Sequence, residues 1–290
     1  MNQQLPYFQE VLGSLQDSET AACFSKFIHW GYWDPSTRAD TTLSGFSSAA
    51  ERLTAEVCRS LDIRDGQRVL DIGSGFGGLA QYLGAHYKSI SYVGVNLDQS
   101  QIDQANRIVD RSKLGSCEFI QADAVSLPLA SDAFDRVVAL ESIFHFSSRA
   151  RFLREARRVV ASDGLIGCTD FVGTTQLAIA RKLVSLFKPR LEEETWGPLN
   201  IITAAGYRKL AADLGLECRL FRDISAAVQP SYAVMKSIPC LNRTADFRLM
   251  HQLLDGASRL GAIRYQIYAW SPGQRSISSA WVREWDRTPQ

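Results

Sequence analysis

The chain has 290 residues, 46% of them hydrophobic, which supplies an ordinary globular core for one large domain or one domain with a small cap. Its 32 Lys and Arg nearly cancel its 31 Asp and Glu, so there is no overall field to attract nucleic acid or an anionic membrane, and a small-molecule partner is expected. The six cysteines, Cys23, Cys58, Cys117, Cys168, Cys218 and Cys240, lie far apart with no Cys-x-x-Cys pair, which argues against a zinc site or a disulfide framework.

The N-terminal MNQQLPYFQE has neither a basic start nor an apolar run, and no later stretch approaches the roughly 20 apolar residues of a membrane span, so a cytoplasmic protein is expected. The aromatic run Trp30, Tyr32, Trp33 precedes the regular part of the chain, where a lid over residues 1–44 would attach. Val69 to Ala80, VLDIGSGFGGLA, reads as a buried strand running into a glycine-rich turn and then a helix. Gly73-x-Gly75-x-x-Gly78 fits a dinucleotide fingerprint as well as an S-adenosylmethionine (SAM) site, and the glycines would also allow mere close strand–helix packing. Asp71 favours SAM: an acid at that strand end faces an ammonium and a ribose well, but would repel a pyrophosphate. A dinucleotide binder also wants an acid after the next strand, where this chain has Asn96.

Ile90 to Leu97 is the second strand candidate, and Asp98 caps a helix with Ile102, Ala105, Ile108 and Val109 on one face, ended by Gly115. Cys117 to Gln121 and Arg136 to Leu140 follow as strands, and a helix carries Phe152, Leu153, Ala156, Val159 and Val160 at helical spacing. Its arginines 149, 151, 154, 157 and 158 read as a solvated face. Ser162-Asp163-Gly164 then turns the chain into a fifth strand, Leu165 to Phe171. Such alternation implies a doubly wound α/β domain, with ligands beyond the carboxyl ends of its strands.

Four motifs in order, HWGYWD at residues 29–34, ERLTAEVCRSLDIRDGQRVLDIGSG, GVNLDQSQI and ESIFHFSSRARFLREARRVV, resemble the class I SAM-dependent methyltransferases over Gly45 to Val172. Within that class they are similar to the natural-product branch, which includes methyltransferases of rebeccamycin-type and erythromycin-type sugars and relatives acting on tocopherols and sterols. The resemblance implies a seven-stranded sheet of order 3-2-1-4-5-7-6 with the last strand antiparallel, its final strands at Leu216 to Ile224 and Tyr265 to Trp270. It also implies a methyltransferase domain over 45–290, with acceptor-cap insertions at about 173–203 and 226–261.

The cofactor residues it implies are Asp71, Gly73, Gly75, Asn96, Leu97, Gln101, Asp123, Ala124 and Glu141, with Tyr32 and Trp33 from the lid. For a hydroxyl acceptor a base is required, and His145, just beyond a strand end, is the candidate, with Asp170 in CTDF to orient it or bind the acceptor. Sugar-methylating relatives often carry two adjacent histidines there; here Phe144 replaces the first. No cluster with metal spacing accompanies these residues, and no metal is expected. The apolar residues Tyr232, Met235, Ile238, Leu241, Phe247, Leu249, Met250 and Leu253 suggest a bulky, partly apolar acceptor, though apolar residues at this spacing also build ordinary core.

The expected activity is methyl transfer from SAM to an oxygen of a glycoside-like or polyketide-like secondary metabolite. Carbon methylation of an isoprenoid-like alkene, a non-methylating cyclase or scaffold, and an NAD-dependent oxidoreductase are the alternatives. The tail, Ser271 to Gln290 with Trp281 and Trp285, would dock on its own domain or on a second subunit in a homo-oligomer.

Overall fold

The computed structural model describes residues 6–14, 24, 26–197 and 199–273; Cys23, Trp281 and Trp285 lie outside them. A seven-stranded sheet of order β3-β2-β1-β4-β5-β7-β6 forms the centre. Its strands are β1 (Arg68–Ile72), β2 (Ser91–Asn96), β3 (Ser116–Gln121), β4 (Phe134–Ala139), β5 (Val160–Gly173), β6 (Leu216–Asp223) and β7 (Ile263–Pro272). The first five pair in parallel, and β7 runs antiparallel to both of its neighbours, β5 and β6. The alternating pattern predicts the parallel part of this sheet, and the family resemblance its seven-stranded order.

The central strands β1 and β4 are buried on both faces and read as nearly continuous apolar runs, whereas the edge strands β3 and β6 are only partly buried. One face packs Val69, Val138, Ile267 and Ala269 against α2 (Leu43–Ser60) and α3 (Gly78–His86), and the other packs Leu70, Ile72, Val137 and Ile166 against α5 (Arg149–Val159) and α8 (Ala204–Asp213). Side-chain caps fix several helix starts: Thr42 accepts from Gly45 N at α2, Asp98 from Ser100 N at α4 (Gln99–Ile108), and Ser148 from Arg151 N at α5.

Three local expectations are corrected. α4 ends at Ile108 and not at Gly115, which instead lets the chain pass the Ser89 carbonyl on its way into β3. Ser162-Asp163-Gly164 is no turn between elements but a register shift inside β5: Phe134 pairs with Val160, and Arg136 pairs next with Leu165. Nor are the α5 arginines all solvated, because Arg149 is buried against β5, as described below.

After β5 the chain forms α6 (Thr175–Phe187) and α7 (Leu191–Thr195) before α8. Between β6 and β7 it forms α9 (Ser225–Val228), α10 (Pro230–Ser237), a 3₁₀ turn at Cys240–Asn242 and α11 (Ala245–Arg259). α1 (Pro6–Ser14) packs on α7 and on that 3₁₀ turn, so these segments gather over the carboxyl ends of the parallel strands.

Candidate active site

The turn after β1 makes the floor of a large cavity. Gly73, Gly75 and Gly77 all have positive φ, at 82°, 53° and 78°, a region that residues with a Cβ enter only at a cost. Gly73 N and Ser74 N both donate to the Val95 carbonyl, at 2.8 and 3.1 Å, tying the turn to β2. A Cβ on Gly73 would overlap the Ser142 side chain, whose hydroxyl donates to the Ile72 carbonyl at 2.8 Å. The backbone is therefore exposed to the cavity because nothing larger fits.

The cavity holds about 500 Å³, within the range of small-ligand sites. It is lined by Asp71, Gly73, Gly75, Asn96, Leu97, Gln101, Asp123, Ala124, Glu141 and His145, so ten residues proposed from the sequence are brought together. Asn96 donates from Nδ2 to Gln101 Oε1 at 2.8 Å and accepts from Asp98 N at 3.1 Å, which fixes the amide facing the cavity. Asp123 is exposed at the rim, and its Oδ1 accepts from Val125 N at 3.1 Å. Asp71 is buried and accepts from Tyr92 Oη at 2.7 Å; with no cation beside it, burial pushes its carboxyl up to about 7.

Tyr32 and Trp33 do not line this cavity. Trp33 is core: its ring packs on Phe46, its Nε1 donates to the Asp40 carbonyl at 2.9 Å, and its backbone N donates to the Ala227 carbonyl. Tyr32 is held by its backbone, whose N–H donates to the Ala49 carbonyl and whose carbonyl accepts from Arg52 Nε. The cover comes from neighbouring positions that the sequence did not single out for the cofactor: Tyr7, Phe8, Lys26, Phe27, Ile28 and His29. Of these only His29 falls in a motif, HWGYWD.

His145 and Asp170 do not form the expected pair. Asp170 is fully buried and absent from the cavity wall; its Oδ2 accepts from Arg149 Nε at 2.9 Å and from the Tyr207 hydroxyl. Arg149 Nη2 lies 2.8 Å from the same oxygen. Burial still pushes the Asp170 carboxyl up to about 6. His145 meets the Tyr7 hydroxyl through Nε2 at 3.3 Å, and burial, helped by the Arg149 charge, drives its pKa down to about 3. An imidazole that acidic is always neutral near pH 7 and holds a proton poorly, which makes it a weak general base.

Beyond Glu141 lies a second, apolar cavity of about 30 Å³. Phe24, Trp30, Phe144, Trp196, Met235 and Leu241 line it, together with Tyr7, Ile28, His29 and Glu141, which also line the large cavity. Its walls are packed aromatics: Tyr7 stacks on Trp196 at 4.9 Å between centroids, and Trp30 is backed by the tilted ring of Tyr232 at 4.4 Å. Of the apolar residues picked out near α10 and α11, Met235 and Leu241 reach this wall.

Glu141 joins the two cavities. It has φ 51°, its backbone N donates to Thr169 Oγ1 at 2.9 Å, and its Oε1 accepts from Trp30 N at 3.0 Å and from the Tyr265 hydroxyl. Burial without a neutralising cation pushes its carboxyl up to about 8.

The large cavity suits a compact cation with a sugar and a base. Its glycine cradle admits a ligand to the backbone, and Ser74 Oγ is buried there without a protein partner. Comparison with known proteins agrees. Residues 70–168 match the methyltransferase-domain family model. The chain is 35% identical over 153 residues to the methyltransferase GfsG of Streptomyces halstedii, covering 52% of this chain and about half, 53%, of that relative. It is 34% identical over 164 residues to the O-methyltransferase rstn1 of Aspergillus nomiae, covering 55% of this chain and 70% of the relative. In structure it superposes on the [4+2]-cyclase SpnF with a TM-score of 0.72 at 22% identity, over 94% of this chain and 97% of that one, a likeness of fold.

Proposed function

We propose that this chain, which belongs to the class I SAM-dependent methyltransferases, methylates a hydroxyl oxygen of a bulky, partly apolar secondary metabolite. The observation that carries this reading is the pair of adjoining cavities, one cradled by backbone and polar groups and one apolar, with Glu141 in the wall of both. SAM, when bound, supplies an electrophilic methyl group on a positively charged sulfur.

The chain's own residues then have separable tasks. Gly73 and Gly75 let the main chain approach the cofactor, Asp71 faces its charged end, Asn96, Leu97 and Gln101 hold the ribose side, and Asp123 and Ala124 hold the adenine at the rim. Residues 1–44 act as the lid, and the insertions over 173–203 and 226–261 form the acceptor cap through Trp196, Met235 and Leu241. The aromatic walls exclude water, which strengthens every charge interaction at the point of transfer. Oxygen as the acceptor atom is supported by the O-methyltransferase among the relatives.

The test is incubation with methyl-labelled SAM and panels of hydroxyl, amine and prenyl-alkene compounds, read by mass spectrometry. Label on oxygen is the expected result. Label on carbon would favour an isoprenoid-like acceptor shielded by Phe144 and would overturn the oxygen assignment.

A further inference from the structure

A half-buried carboxyl with no cation to neutralise it stands in the wall of both cavities. It belongs to Glu141, the chain neighbour of Ser142, whose side chain packs against Gly73. Both protein hydrogen bonds to the carboxyl fall on Oε1, from Trp30 N and the Tyr265 hydroxyl, which leaves Oε2 for a ligand proton.

Few groups that face it carry charge. Tyr265 on β7, Tyr232 on α10 and Tyr7 on α1 have hydroxyls that burial keeps protonated. His29 is held down to about 4 and His145 to about 3, so both imidazoles are neutral. Asp71 stands in the wall of the same large cavity, raised as Glu141 is. Lys26 is the one Lys or Arg among the described residues lining either cavity. A cationic ligand would therefore change the charge balance around Glu141 more than any neighbour does.

We propose that Glu141, in place of His145, receives the acceptor's hydroxyl proton, and that it is readied by the cofactor's charge: a neutral acid in the free protein, it releases its proton to solvent when SAM binds. The inference rests on the methyltransferase reading above and adds the proton's path to it. As the S–CH3 bond breaks and the O–CH3 bond forms, Glu141 Oε2 takes the hydroxyl proton, leaving a methyl ether, neutral S-adenosylhomocysteine and protonated Glu141. With the sulfonium charge gone, the neutral acid is again the favoured form. The single proton produced in each cycle thus departs at the next binding of SAM.

Isothermal titration calorimetry tests this without an acceptor. SAM and S-adenosylhomocysteine are each titrated into wild-type protein and into Glu141→Gln at pH 7, in buffers of different ionisation enthalpy, so that the slope of heat against buffer enthalpy counts protons. Glutamine keeps an acceptor for Trp30 and Tyr265. Asp71, which meets the ammonium of both ligands, contributes equally to both titrations, so the reading is the difference between them. The expected result is release of at least about half a proton more with SAM than with S-adenosylhomocysteine, an excess that disappears in Glu141→Gln. Equal release with both ligands, or no release with SAM, overturns the proposal from wild-type data alone. An excess that persists in Glu141→Gln overturns it too. Failure of SAM to bind at all is a distinct result, which overturns the methyltransferase reading together with the proposal.

Discussion

On the cofactor side of the cleft the floor is a glycine turn and short polar side chains, with Gly73 and Gly75 at positive φ and Asn96 held to Gln101; on the acceptor side the wall is rings, Trp30, Phe144 and Trp196, brought from segments far apart in sequence. The first wall encloses about 500 Å³ and the second about 30 Å³. A wall of backbone in a conformation only glycine accepts cheaply cannot collapse, so the cavity stands ready. A wall of side chains closes on itself when rotamers and short helices pack, and it opens only as they move. The difference separates what is fixed in this site, the cofactor, from what can be reshaped, the acceptor.

Arg149 lines neither cavity, and its buried ion pair with Asp170 ties α5 to β5. Arg149→Met leaves the Asp170 carboxyl buried without its partner and should cost about 3–5 kcal/mol in urea unfolding, with both sides affected. A loss of less than about 1 kcal/mol would mean that the pair is incidental.

The buried carboxyl and the buried imidazoles should titrate in opposite senses. Asp71, raised to about 7, binds its proton more tightly folded than unfolded, so its contribution falls as pH rises from about 4 through 7, by roughly 1.4 kcal/mol per unit. His145 and His251, lowered to about 3 and about 4, behave conversely: their contribution is intact above about 6.5 and is lost as pH falls through the folded values. Stability against pH for Asp71→Asn, which retains an acceptor for Tyr92, should lose part of the decline between pH 4 and 7, the rest coming from Glu141 and Asp170, while His251→Phe should lose part of the acid limb. Curves parallel to wild type would contradict this.

Trp196→Ala removes a ring shared by Tyr7, Trp30 and His251 and should cost about 3 kcal/mol of stability. SAM affinity should nevertheless change by far less than the tenfold that 1.4 kcal/mol represents. A tenfold loss would show that the two sides are not independent. Gly73→Ala is the reciprocal change. It should cost about 1–3 kcal/mol from strain at φ 82° and abolish SAM binding, while the fluorescence of the buried tryptophans stays as in wild type.

The same difference decides what was legible in the sequence. The alternation of strands and helices and the glycine turn could be read from local patterns, strand order followed from the family resemblance, and Asn96, Gln101, Asp123 and Ala124 meet in one cavity wall because each lies at or just beyond the carboxyl end of a strand. Tyr32 and Trp33 misled because an aromatic run before the core says only that apolar area will be buried, and the burial went to Phe46 and Asp40. Asp170 and Arg149 misled because an ion pair between β5 and α5 is a long-range fact that helical periodicity averages into a solvated face. Tyr265, on β7 and 124 residues from Glu141, carried no local signal for its bond to that carboxyl.

A crystal structure with S-adenosylhomocysteine would test the central claim most directly. The account predicts the ligand along Gly73, Asn96 and Asp123, with its sulfur end beside Glu141 and facing the aromatic wall. Density elsewhere, or a sulfur turned away from Glu141 toward the rim at Asp123, would contradict it.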